Sequence, residues 1–185
     1  GTSLVEQIIT SHSEVFSGGE LPILSSIIKD YFINDDISLK KNFYENVQNP
    51  IIIKELKSKY LNFVQNFSYS ERYITDKSPL NFRWIGFIKL IFPNAKIVHC
   101  KRDSKNNCLS MFKNLFEGSL NFTYDQDDLV QYYQHYLKLM NFWKSKYQNS
   151  ILEVQYENLI NNNDIEIKKI IKFSNLEWED GCLSF

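Results

Sequence analysis

The chain has 185 residues (22.0 kDa), 43% hydrophobic and 23% charged, which is enough apolar material for one folded domain and too much for a disordered one. Twenty-one Lys and Arg against 22 Asp and Glu leave a formal net charge of -1, which argues against sequence-blind nucleic-acid binding. No apolar run approaches the roughly 18 to 20 residues of a membrane-spanning helix.

Residues Leu4, Val5, Ile8 and Ile9 form a helical stripe, with Thr2 or Ser3 placed to start the helix. Val15-Phe16 reads as a short extended piece that breaks at Gly18-Gly19 before Glu20. Helices are expected from about Pro22 to Phe32 and from Pro50 to about Phe67, since Pro is tolerated in a first helical turn. Arg72 to Thr75 is β-prone, Leu80 to Ile91 looks helical, and Ala95 to Cys100 is a strand candidate. Ser104 is placed to cap a helix reaching about Phe116.

The clearest helix spans Asp127 to Tyr147, with an inward stripe of Leu129, Tyr133, Tyr136, Met140, Trp143 and Tyr147. Ser150 to Val154 reads as a strand and Ile165 to Phe173 as a last helix. Strands alternating with helices predict an α/β fold with a parallel sheet. No repeat or Pro/Gly-rich hinge divides the chain, so residues 1–185 are expected to form a single domain.

In such folds ligands sit at the turns that follow strands. Gly1-Thr2-Ser3, opening a helix, is either an ordinary N-cap or a phosphate cradle of free amides and two hydroxyls. No GxxxxGK[ST] loop is present, so a Walker-type nucleotide kinase is not supported. The composition holds 18 Lys but only three Arg (Arg72, Arg83 and Arg102). In such a background each Arg is a candidate for a planar two-pronged contact that Lys does not make.

Arg102 follows a predicted strand, and Ser110 lies eight residues later on a helical face with Asp103 and Asn106. Lys77 either neutralises an anion, pairs with Asp76 or is simply solvated. Glu20 is a candidate general base or a polar loop residue. Of the histidines, His12 reads as a loop residue, His99 as core or sheet edge, and His135 as a polar helix face. Cys100, Cys108 and Cys182 form neither a disulfide framework nor a metal-ligand pattern, and point to a reducing compartment, the cytoplasm. No metal site is expected.

Together these segments resemble the sulfotransferase family, above all bacterial tetratricopeptide-linked sulfotransferases and tyrosylprotein sulfotransferases. Gly1-Thr2-Ser3-Leu4-Val5-Glu6-Gln7-Ile8 resembles the end of the loop that binds the 5′-phosphosulfate of the donor 3′-phosphoadenosine 5′-phosphosulfate (PAPS). His99-Cys100-Lys101-Arg102-Asp103 with Ser110 resembles the site for the 3′-phosphate. Asp76-Lys77-Ser78-Pro79-Leu80-Asn81-Phe82 is similar to the family's DKxPxNF segment. Gly19-Glu20-Leu21 resembles the segment that supplies the catalytic Glu, and Glu153 to Leu159 resembles the stretch whose tyrosine, here Tyr156, lies along the nucleotide.

The resemblance implies a P-loop-like three-layer sandwich, a central parallel sheet flanked by helices. It implies a PAPS-dependent transferase that releases 3′-phosphoadenosine 5′-phosphate (PAP). Glu20 and Lys77 would be catalytic; Gly1, Thr2, Ser3, Arg102, Ser110 and Tyr156 would bind the donor. The acceptor would carry a hydroxyl: a protein tyrosine, a carbohydrate or a small molecule. The alternative is a non-catalytic module of the same fold that binds a nucleotide or a protein. The family's loop begins Pro-Arg-Ser before the glycine, and the family continues past Phe185 with a basic segment. The chain is therefore expected to be part of a domain; by family likeness alone, a tetratricopeptide region is expected upstream. Asn114 stands where tyrosylprotein sulfotransferases carry an Arg.

Overall fold

The structure of the protein, a computed structural model, describes residues 1–67, 69–116 and 120–185. It resolves into two compact units, the first made of Thr2–Ala95 with Glu179–Phe185, the second of Gly1 with Lys96–Trp178.

In the first unit the chain runs α1 (Thr2–Thr10), β1 (Val15–Phe16), α2 (Ile23–Phe32), α3 (Phe43–Asn46), α4 (Pro50–Gln65), β2 (Tyr73–Ile74) and α5 (Ile85–Ile91). Strand β1 pairs with β2 in parallel, Val15 opposite Tyr73 and Phe16 opposite Ile74. Local chemistry explains the helix starts. Pro50 opens α4 where its missing N–H costs nothing, and the Asn49 side chain caps it by accepting from the Ile51 amide at 2.9 Å.

The core is where α2 meets α4 and α5. Leu24, Ile27, Ile28 and Phe32 pack with Leu56, Tyr60, Val64 and Ile91, all buried. Phe32 anchors it, its ring 4.8 Å from Phe87 and 5.8 Å from Phe43. Each such side chain contributes about 1.5–3 kcal/mol by leaving water.

The second unit runs β3 (Ile97–Lys101), α6 (Ser104–Lys113), α7 (Gln126–Lys146), β4 (Ile151–Gln155), α8 (Tyr156–Asn161) and α9 (Asn163–Phe173). Strands β3 and β4 pair in parallel, from Ile97 opposite Ile151 to Lys101 opposite Gln155. Helix α9 packs on β4 and α8 with Ile167, Ile170 and Ile171 buried. Asp125 caps α7 by accepting from the Asp127 and Asp128 amides, and Lys144 and Lys146 stand in its last turn, complementing the helix dipole.

Parallel pairing and α/β character agree with the sequence expectation; among the described residues the hydrogen-bonded strands form one two-stranded pair in each unit. The predicted α7 stripe is buried or half-buried throughout. Some local expectations need correction. Asp103, not Ser104, caps α6, because its carboxylate accepts from the Asn106 amide at 2.9 Å. The expected helix from Leu80 to Ile91 is a 3-10 segment, Pro79–Trp84, followed by α5. Helices α3 and α8 were not anticipated, each being too short to show a period.

Candidate functional site

In the first unit the site is built where β1 and β2 end. A β-carbon on Gly18 would fall 2.1 Å from the Thr75 carbonyl oxygen, and Gly19 takes a left-handed φ of 65°. Only glycine meets both demands without strain. The Thr75 amide donates to the Phe16 carbonyl at 3.0 Å, and the Lys77 amide to the Gly19 carbonyl at 2.7 Å. This pairing carries Glu20 and Lys77 out of the two strands together. Lys77 Nζ lies 2.8 Å from Glu20 Oε1, although the two are 57 residues apart in sequence. Glu20 is exposed and Lys77 half-buried.

Lys77 does not pair with Asp76. The Asp76 carboxylate turns inward, accepting from the Tyr60 hydroxyl at 3.0 Å and from Asn81 Nδ2 at 2.9 Å. Burial raises its pKa above the ordinary 3.8, and those hydrogen bonds offset only part of the rise. Thr2 and Ser3 open α1, and its first turn has no acidic residue to offset the positive helix end.

In the second unit Tyr156 starts α8 directly after β4, and Arg102 follows β3. The Arg102 guanidinium carbon lies 5.5 Å from the Tyr156 ring centroid. Gly1 lies against the same ring: a β-carbon there would sit 3.5 Å from Tyr156 Cδ2. Two predicted donor-binding residues, Arg102 and Gly1, thus meet the ring of a third, Tyr156. The ends of β3 and β4 are joined by Glu157, whose Oε1 accepts from the Asp103 amide at 2.9 Å. That bond, more than any other influence, holds the Glu157 pKa below its usual value. Ser110 is half-buried on α6, where its carbonyl accepts from Asn114 Nδ2 at 2.6 Å.

Among the described residues no group of three or more His, Cys, Asp or Glu side chains is arranged to hold a metal ion. No helix among them is long and apolar enough to cross a membrane.

The sequence reading missed residues that act on backbone rather than on a ligand. Glu6, in α1, accepts from the Gly19 amide at 3.0 Å and from Thr75 Oγ1 at 2.8 Å. His12, expected in a loop, is buried; its Nδ1 accepts from the Glu14 amide at 3.1 Å and its Nε2 lies 3.6 Å from Glu179 Oε1. Nothing local marks either role, since the partners lie 13 to 167 residues away, the Glu14 amide excepted.

A model of the sulfotransferase family matches residues 1–180. A protein of Aquifex aeolicus (strain VF5), described only as uncharacterized, is 29% identical over 100% of this chain, which spans 25% of that protein. The protein-tyrosine sulfotransferase 1 of Danio rerio is 21% identical over 99% of this chain, which spans 52% of it. The chain therefore corresponds to a quarter and about half of these relatives' lengths. Its fold is similar to the sulfotransferase domain from the curacin biosynthetic pathway, with a TM-score of 0.64 at 19% identity over 99% of this chain and 72% of that one.

Proposed function

The chain belongs to the sulfotransferase family, and on that premise we propose that it serves sulfuryl transfer from PAPS to an acceptor hydroxyl. The observation that carries this reading is the 2.8 Å pairing of Lys77 with Glu20 at adjacent strand ends. A carboxylate able to take a proton and an ammonium able to offset developing negative charge are the two groups such a transfer needs close together.

When bound, the donor supplies an activated sulfuryl group. Glu20 accepts the proton of the acceptor hydroxyl as the acceptor oxygen takes the sulfuryl group and PAP leaves. Lys77 offsets charge at the bridging oxygen. Thr2, Ser3 and the amides at the start of α1 hold the 5′-phosphate. Arg102 and Ser110 hold the 3′-phosphate, with Tyr156 and Gly1 against the nucleotide. An exposed guanidinium over an aromatic face suits a phosphorylated nucleotide. Because charge is redistributed among oxygens, positioned donors carry most of the catalysis.

The same reading takes the P-loop-like three-layer sandwich as the fold, a single domain over residues 1–185, and a cytoplasmic protein with a tetratricopeptide region upstream. The acceptor is a protein tyrosine, a carbohydrate or a small molecule. The likeness to a protein-tyrosine sulfotransferase favours the first.

The test is a titration with PAP against adenosine 5′-phosphate, for wild type and Arg102→Ala, paired with transfer from labelled PAPS for wild type and Glu20→Ala. Expected are a preference for PAP that Arg102→Ala abolishes, and transfer that Glu20→Ala abolishes without loss of PAP binding. Equal binding of the two nucleotides, by this chain and again by the full-length protein, would refute the donor assignment. Selective binding with no transfer to any hydroxyl acceptor would favour the binding-module alternative.

A further inference from the structure

The turn that delivers Glu20 is held by hydrogen bonds from outside itself. Glu6 Oε1 accepts from the Gly19 amide at 3.0 Å and from Thr75 Oγ1 at 2.8 Å. Thr75 Oγ1 in turn accepts from the Gly18 amide at 3.3 Å. The Gly19 carbonyl accepts from the Lys77 amide at 2.7 Å. Both amides of the glycine pair and the carbonyl preceding Glu20 are thereby engaged, and every bond involves α1 or the segment following β2.

We propose that Glu6 is the positioning residue of the transfer site, its carboxylate locking the Gly18-Gly19 turn so that Glu20 is presented opposite Lys77. The inference rests on the reading of Glu20 as the base.

Its physical basis is the need for such a lock. Gly18 and Gly19 are the residues with the greatest backbone freedom, and Gly19 sits at a left-handed φ of 65°. Glu20 itself is 59% exposed and makes an ion pair near the surface, which is too weak to set the path of its own backbone. A carboxylate accepting from an amide and a hydroxyl makes charge-assisted bonds about twice as strong as neutral ones. Glu6 lies one turn along α1 from Thr2 and Ser3. One helix therefore carries both the proposed 5′-phosphate hydroxyls and the anchor of the proposed base. Thr75 doubles the anchor by relaying it to Gly18.

The experiment uses the full protein with Glu6→Ala, Glu6→Gln, Thr75→Val and Glu20→Ala. The readouts are transfer kinetics, melting temperature, and hydrogen exchange of the Gly18 and Gly19 amides. Glu6→Ala is expected to lower kcat about 10- to 100-fold, as misplacement of a reacting group by about 1 Å does, with donor KM within about twofold of wild type. Its Gly19 amide should exchange at least about tenfold faster.

Glu6→Gln keeps an oxygen that accepts both bonds, and should restore kcat to within about threefold of wild type and restore amide protection. Thr75→Val, nearly isosteric, should lower kcat in the same direction by about three- to tenfold, and it decides the matter if Glu6→Ala fails to fold. Wild-type kcat in Glu6→Ala beside an inactive Glu20→Ala would overturn the positioning role alone. Equal loss in Glu6→Gln and Glu6→Ala would overturn it as well. Full activity of Glu20→Ala would instead remove the base assignment, and the inference with it.

Discussion

His99 on β3 stands in register with Glu153 on β4, its Nδ1 3.5 Å from Glu153 Oε2, while Lys144 Nζ donates to the same carboxylate oxygen at 2.7 Å. Tyr136 from α7 meets the other ring nitrogen, and Lys101 Nζ lies 3.7 Å from Glu153 Oε1. Burial is the main influence on His99, depressing its pKa below the ordinary 6.5; Glu153 opposes that shift, and Lys144 and Lys101 add to it. This rung lies three residues before Arg102 on one strand and before Tyr156 on the other.

Folding therefore favours the neutral imidazole. The corresponding stability is present above pH 6.5 and is lost as pH falls from there toward the lower folded value. Thermal melts between about pH 7.5 and about pH 5 should show a drop in wild type that is smaller in His99→Gln. An unchanged acid slope in the variant would remove His99 from the account.

The Lys77–Glu20 pair should matter for activity and hardly for stability. With Glu20 59% exposed, the ion pair is screened and contributes less than about 1 kcal/mol. Lys77→Ala should move the urea midpoint little while lowering transfer by about 100-fold or more, the usual cost of removing a positioned charge donor. A large loss of stability with normal transfer would reverse that assignment.

Asp76 makes the opposite case, a half-buried acid whose partners are structural. Tyr60→Phe removes one of its two side-chain hydrogen-bond donors and should destabilise the protein by about 1–3 kcal/mol. Because the folded pKa lies above 3.8, the native state favours the protonated acid. The stability this confers is present below that value and lost as pH rises through the folded pKa. The deficit of Tyr60→Phe in urea titrations should be larger at neutral pH than in acid, where a protonated Asp76 demands less of its neighbours. A deficit independent of pH would mean that the lost contact is packing and not the hydrogen bond.

Much of the helical framework was legible because its signals are local. Asn49-Pro50 marks the start of α4, and the three- to four-residue spacing from Leu129 to Tyr147 marks α7. The strand ends were legible for the same reason, since β-prone runs stop at Gly18-Gly19, Asp76 and Arg102. The 3-10 segment Pro79–Trp84 was not, because the apolar spacing of Leu80 to Ile91 reads as one continuous helix. The burial of His12 was not legible either, since its contact with Glu179 spans 167 residues of chain.

By itself the sequence named the candidate residues, because residue type and spacing set what a side chain can donate, accept or balance. It also placed Glu20, Lys77 and Arg102 just beyond β-prone runs, where that pattern stops. What only the tertiary structure decided is partnership. Lys77 faces Glu20 and not its neighbour Asp76, Arg102 covers Tyr156, and Glu6 holds the glycine turn. Those pairings arise from parallel strand register and close backbone approach, which bring together groups 13 to 57 residues apart in the chain. No local pattern in the sequence encodes such distances.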